Sequence, residues 1–86
     1  MEIVESESFA QAIAASREHF PRIDGIIEGW KWRLRHKPEQ GYPIPGTNPQ
    51  KYVVKSFPYK ECGVPAVRVL YRIVDGTIHL ESVHVE

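Results

Sequence analysis

Arg68 and Arg72 stand four residues apart in the run Val67-Arg68-Val69-Leu70-Tyr71-Arg72-Ile73, and His79 and Glu81 stand in the run that follows. Between the runs lies Val74-Asp75-Gly76-Thr77. Asp-Gly flanked by two β-prone runs is a strong hairpin signal, because a type I′ turn needs positive φ at both central residues. A two-residue loop at Asp75-Gly76 pairs Val74 with Thr77, Ile73 with Ile78, Arg72 with His79 and Tyr71 with Leu80. Continued without interruption, it sets Leu70 opposite Glu81 and Arg68 opposite Val83. Side chains alternate between faces along a strand. One face then collects Val67, Val69, Tyr71, Ile73, Ile78 and Leu80, and His84 shares their parity. The other collects Arg68, Leu70, Arg72, His79, Glu81 and Val83. Two guanidiniums facing an imidazole and a carboxylate form a candidate anion site with a titratable group. Lys55, in the run Tyr52 to Phe57, joins it if the register allows. The same side chains also suit ordinary cross-strand pairing, which contributes about 0.2–1 kcal/mol per pair.

Such a face needs a layer behind it. Ile3-Val4 reads as a short strand. Ser8 with Gln11 fits a capping box, followed by Phe9, Ile13 and Phe20 near one face and an alanine-rich helix stopped by Pro21. Ile23, Ile27, Trp30 and Leu34 are spaced four, three and four, a helical stripe that ends at Lys37-Pro38. Residues 38–50 hold Pro38, Gly41, Pro43, Pro45, Gly46 and Pro49 and read as a loop, as does Pro58 to Pro65, with Gly63 as its turn residue. The order is β-α-α-β-β-β. The expected fold is α+β, with two N-terminal helices on one face of an antiparallel sheet, in a single domain over residues 1–86. Trp30 falls on the apolar stripe. Trp32 falls off it, either anchoring a partner or partly buried under the Pro-rich loop.

The 86 residues carry eleven basic and eleven acidic side chains, segregated along the chain. Residues 1–30 hold two basic against six acidic, net −4; residues 31–72 hold nine against two, net +7; residues 73–86 hold three acidic and none basic. A basic middle attracts an anion, and nucleic acid is the commonest large one. The cations of the second helix's last turns also suit the helix dipole. Cys62 is the only cysteine, which excludes an internal disulfide and a cysteine-built zinc site. The acidic start, Met1-Glu2-Ile3-Val4-Glu5, does not read as a secretory signal, and the lone cysteine fits a reducing cytoplasm.

The element order, the helix ending near LRHKP, the strand KYVVKSF and above all GVPAVRVLYRIVDGTIHLESVHV are similar to the RelE/ParE toxins of bacterial type II toxin–antitoxin pairs. The resemblance spans nearly the whole chain, and the arginine-bearing strand VRVLYRI before the Asp-Gly turn is its most specific part. It implies a cytoplasmic toxin held by a cognate antitoxin in a hetero-oligomer. RelE-like members cut mRNA in the ribosomal A site; ParE-like members act on DNA gyrase instead. On this resemblance Arg68 matches the strand arginine that RelE-like nucleases use on the scissile phosphate, and Lys55 the lysine of the preceding strand. Those nucleases carry another tyrosine or histidine near the end of the last strand, where this chain has His84.

Metal-free RNA cleavage needs a base for the 2′-hydroxyl proton, cations for the phosphorane and an acid for the leaving oxygen. The sequence therefore nominates Arg68, Arg72 and Lys55 as cations and His79 or Glu81 as base, with no cofactor or metal, and with ribosome, mRNA and antitoxin as partners. A gyrase-directed inhibitor and a relative that only binds a partner are the alternatives. No membrane partner is expected.

Overall fold

The computed structural model describes residues 1–86 as an α+β fold of two helices and a five-stranded mixed sheet. The elements run β1 (Glu2–Glu5), α1 (Glu7–Ser16), α2 (Ile23–His36), β2 (Tyr42–Pro43), β3 (Lys51–Ser56), β4 (Val67–Val74) and β5 (Thr77–Val85). The sheet order is β1-β5-β4-β3-β2. Strand β1 pairs parallel with β5, with Ile3 beside Ile78 and Val4 beside His79. The sheet is thus mixed rather than antiparallel throughout. A helical excursion between β1 and the rest brings the chain back beside its own beginning, a geometry that needs a crossover rather than a hairpin. The Pro-rich segment also contributes β2, which pairs Tyr42 with Val53 on β3.

The N-cap of α1 lies two residues before the expected one. Ser6 is the N-cap, and its Oγ accepts from the Phe9 N–H at 3.1 Å. Ser8 lies inside the first turn, and Gln11 Nε2 donates to Glu7 Oε1, so its side chain does not take the N–H of a cap as a capping box would have it. The helix ends at Ser16, whose hydroxyl donates back to the Ala12 carbonyl at 2.8 Å, and Phe20, whose N–H donates to the Ser16 carbonyl at 2.8 Å, packs against the core from the following turn. The stripe of α2 behaves as its spacing dictates: Ile23, Ile27 and Leu34 are buried and Trp30 packs at the edge.

The core forms between the helices and one sheet face. Phe9 and Ile13 from α1 and Ile23, Ile27 and Leu34 from α2 meet Val54, Val67, Val69, Tyr71, Ile78 and Leu80. Lys31 ties α2 to β1 through Glu5 Oε1 at 3.0 Å and takes Glu28 Oε1 at 3.3 Å. Partial burial works against its charge, but the hydrogen bonds and charges of the two carboxylates raise its pKa overall. No helix is long and apolar enough to cross a membrane.

The β4–β5 hairpin closes with φ of 49° at Asp75 and 77° at Gly76, the positive pair that a type I′ turn requires. The expected register holds from Val74–Thr77 to Tyr71–Leu80. There it shifts: Leu70 pairs with Ser82, and Glu81 is left without a partner across the ladder. This β-bulge is the fold's most consequential departure from strict alternation, because one extra residue exchanges the faces of everything beyond it.

Candidate functional site: a cationic row across the open sheet face

The bulge brings Arg68 opposite His84 and Val69 opposite Val83. Val83 and Val85 therefore turn toward the helices and pack against the core, while His84 turns to the uncovered face. The reading that placed Arg68 opposite Val83, Leu70 opposite Glu81 and His84 on the core-side parity is corrected by this one inserted residue. Strand β3 supplies the next partner: Lys55 lies opposite Arg68. Lys55, Arg68 and His84 thus form one row across three adjacent strands on the open face.

What stabilises the bulge comes from the other end of the chain. The unpaired Glu81 carbonyl accepts from Ser6 Oγ at 2.7 Å and from Ser8 Oγ at 3.1 Å. The Ser6 N–H donates to the Leu80 carbonyl at 2.9 Å. A carbonyl released from the ladder must find another donor, and the first turn of α1 provides two. The signal in the sequence is the pair Glu81-Ser82. Apolar residues stand at 78, 80, 83 and 85, so alternation breaks where two polar residues adjoin.

Lys55, Arg68 and His84 line an open cleft of about 560 Å3 whose floor includes Ile44, Val53 and Leu70. A smaller adjoining recess is lined by the same three residues together with Glu86. Lys55 and Arg68 are exposed and take part in none of the chain's salt bridges. His84 Nε2 meets Glu86 Oε1 at 2.8 Å. If the Nε2 proton is donated to Glu86, Nδ1 is the ring's free acceptor. The row therefore offers two unneutralised cations next to an imidazole held by a carboxylate.

The other nominated residues lie elsewhere on the same face. Arg72 pairs with His79 on β5 and with Lys51 on β3. Four residues of strand separate Arg72 from Arg68, about 13 Å at ~3.3 Å per residue. Glu81 reaches into this second group, with Oε2 3.5 Å from Arg72 Nε and Oε1 3.4 Å from Lys51 Nζ. Both contacts are long for hydrogen bonds, and Arg72 Nε and Glu81 Oε1 are buried without a hydrogen-bond partner, so the pairing there is coulombic. Arg68 and Lys55 are thus brought together as the sequence expected, whereas Arg72 and His79 are not brought to them.

The loop beside the cleft is fixed by Tyr71. Its ring is fully buried, as expected, and its hydroxyl donates to the Pro38 carbonyl at 2.7 Å and accepts from the Gly41 N–H at 3.1 Å. Burial pushes the Tyr71 phenol above its ordinary pKa, against the lowering effect of the Gly41 N–H. The phenol sits so close to Gly41 that a Cβ there would stand 2.8 Å from the hydroxyl oxygen. Tyr42, next along, is left 71% exposed on the cleft side, where it pairs with Val53. On the opposite side of the molecule Trp32 is 61% exposed and stacks on His36 with ring centroids 4.1 Å apart, instead of being covered by the Pro-rich loop.

No protein-family model matches this chain, and no curated protein matches it.

Proposed function

We propose that the chain is the toxin of a bacterial type II toxin–antitoxin pair, a ribosome-dependent mRNA endonuclease of the RelE kind that a cognate antitoxin blocks in the cytoplasm. The observation that carries this reading is the row Lys55–Arg68–His84 on the uncovered face of the sheet. The resemblance of the VRVLYRI strand and its Asp-Gly hairpin to that family agrees with it.

The chemistry divides among the three side chains. His84 takes the proton of a 2′-hydroxyl, whose oxygen attacks the adjacent phosphorus. Arg68 grips the two non-bridging oxygens with its planar fork as charge builds on them. Lys55, one strand away, donates a proton to the departing 5′-oxygen as the P–O bond breaks. The products are a 2′,3′-cyclic phosphate and a 5′-hydroxyl end. DNA lacks the attacking hydroxyl, so the reaction selects RNA. His79, beside Arg72 and about 13 Å from Arg68 along the strand, has no part in this step.

The test is induced expression in a bacterial host with transcript ends mapped before growth stops. Cleaved messages for the native chain, and intact messages with normal growth for a folded Arg68→Ala variant, are expected. Double-strand DNA breaks with intact messages would instead assign the gyrase-directed alternative, and a harmless native chain would assign a partner-binding relative.

A further inference from the structure

The second group of charges on the open face lies outside the chemistry just described. Lys51, Arg72 and His79 form a row parallel to Lys55, Arg68 and His84, crossing the same three strands. Between the rows the sheet presents Val53 and Leu70, with Ser82 beside them. The exposed ring of Tyr42 borders this strip, since Tyr42 pairs with Val53 on the edge strand. The face thus reads along the strands as cation, apolar floor with an aromatic ring, cation.

That alternation matches an extended single strand of nucleic acid, in which phosphates alternate with bases that seek flat apolar surfaces. A spacing of about 13 Å covers roughly two extended to four stacked nucleotides. A folded duplex does not fit it, because its bases are turned inward and cannot reach the ring. Glu81 explains how the second row is held. Its carboxylate stands between Lys51 and Arg72, whose side chains remain 36% and 34% exposed. One negative charge against two positive ones leaves a net cation with both side chains braced above the sheet.

We infer that Lys51 and Arg72 form a second phosphate subsite and Tyr42 a base-stacking platform, so that the open face holds a single RNA strand over several nucleotides. This rests on the reading of the first row as the site of cleavage. It adds a footprint, and it makes Tyr42, Lys51 and Arg72 determinants of substrate length rather than of the chemical step.

The experiment measures fluorescence anisotropy of the full chain at low ionic strength with labelled 2′-O-methyl oligouridylates, which cannot be cleaved, of two and eight nucleotides. The octanucleotide is expected to bind about tenfold more tightly than the dinucleotide. Tyr42→Ala and Lys51→Gln, each folded by circular dichroism, are expected to lower octanucleotide affinity about 5- to 10-fold and to leave the dinucleotide within about twofold. Arg68→Ala is expected to weaken both probes. An octanucleotide that binds no better than the dinucleotide, or that ignores both substitutions, overturns the footprint while a response to Arg68→Ala keeps the first row. Probes that respond to Tyr42→Ala and Lys51→Gln but not to Arg68→Ala overturn the assignment of the first row, and with it a track that ends there.

Discussion

Ser6→Ala is the substitution that most directly probes how the N-terminus builds the site. The hydroxyl does two things: it accepts from the Phe9 N–H at 3.1 Å as the N-cap of α1, and it donates to the Glu81 carbonyl at 2.7 Å in the bulge. Loss of a serine cap costs about 1 kcal/mol, within a range of roughly 0.5–2. Loss of the second bond adds about 1 kcal/mol net, since Ser8 Oγ still reaches the same carbonyl at 3.1 Å. The expected total is about 2 kcal/mol, which in a domain of this size lowers Tm by on the order of 8–16 °C. Ser8→Ala alone costs about 0.5 kcal/mol, because Ser6 continues to satisfy the carbonyl. The double variant removes both donors and leaves the Glu81 carbonyl without either, so its loss exceeds the sum of the singles by about 1 kcal/mol. Urea unfolding with unchanged m-values reads these numbers, and amide exchange at Ser82 to His84 reads the bulge locally. A Ser6→Ala loss below about 0.5 kcal/mol, or strict additivity in the double variant, would refute the claim that α1 holds the bulge.

Tyr71→Phe removes a buried hydroxyl that bonds Pro38 and Gly41, and it should cost about 1–3 kcal/mol in urea unfolding; Gly41→Ala should be less costly in that background than in the native chain, because one of its close contacts is gone. Stability should decline at high pH: the folded-state pKa values of Lys31 and Tyr71 are both raised, so their contributions are complete below the unfolded values near 10.5 and 10.0 and are lost as pH rises through the folded ones. A pH series of thermal melts that stays flat from pH 9 to about 11 would contradict this. Glu81→Gln should free Lys51 and Arg72 and tighten binding of single-stranded RNA severalfold, with steeper salt dependence, in an anisotropy titration.

The parts of the fold that follow from neighbouring residues were legible in the chain. The four-three-four spacing of Ile23, Ile27, Trp30 and Leu34 specifies α2, and Asp75-Gly76 specifies the turn and the first four pairs of the hairpin. Lys55 beside Arg68 follows once β3 and β4 pair. What was not legible depends on distant residues. The bulge needs hydroxyls 75 and 73 positions away to satisfy its free carbonyl. The parallel seat of β1 on β5 joins the two ends of the sequence, and nothing local to Ile3-Val4 states the partner. Ser6, rather than Ser8, caps α1 because β1 delivers the chain to that point against β5. The adjacent polar residues Glu81 and Ser82 did carry a local trace of the bulge, and with it the face on which His84 stands.

In the proposed reaction the inserted residue in β5 puts His84, and not His79, in the row with Arg68 and Lys55. The most direct measurement is the cleavage rate of a programmed ribosomal message by His84→Ala and His79→Ala variants, both verified as folded. The expected result is a loss of about 100-fold or more for His84→Ala, the usual worth of a positioned acid–base group, and a rate within a few-fold of native for His79→Ala. A His84→Ala variant that cleaves at the native rate, or a His79→Ala variant that does not cleave, would contradict it.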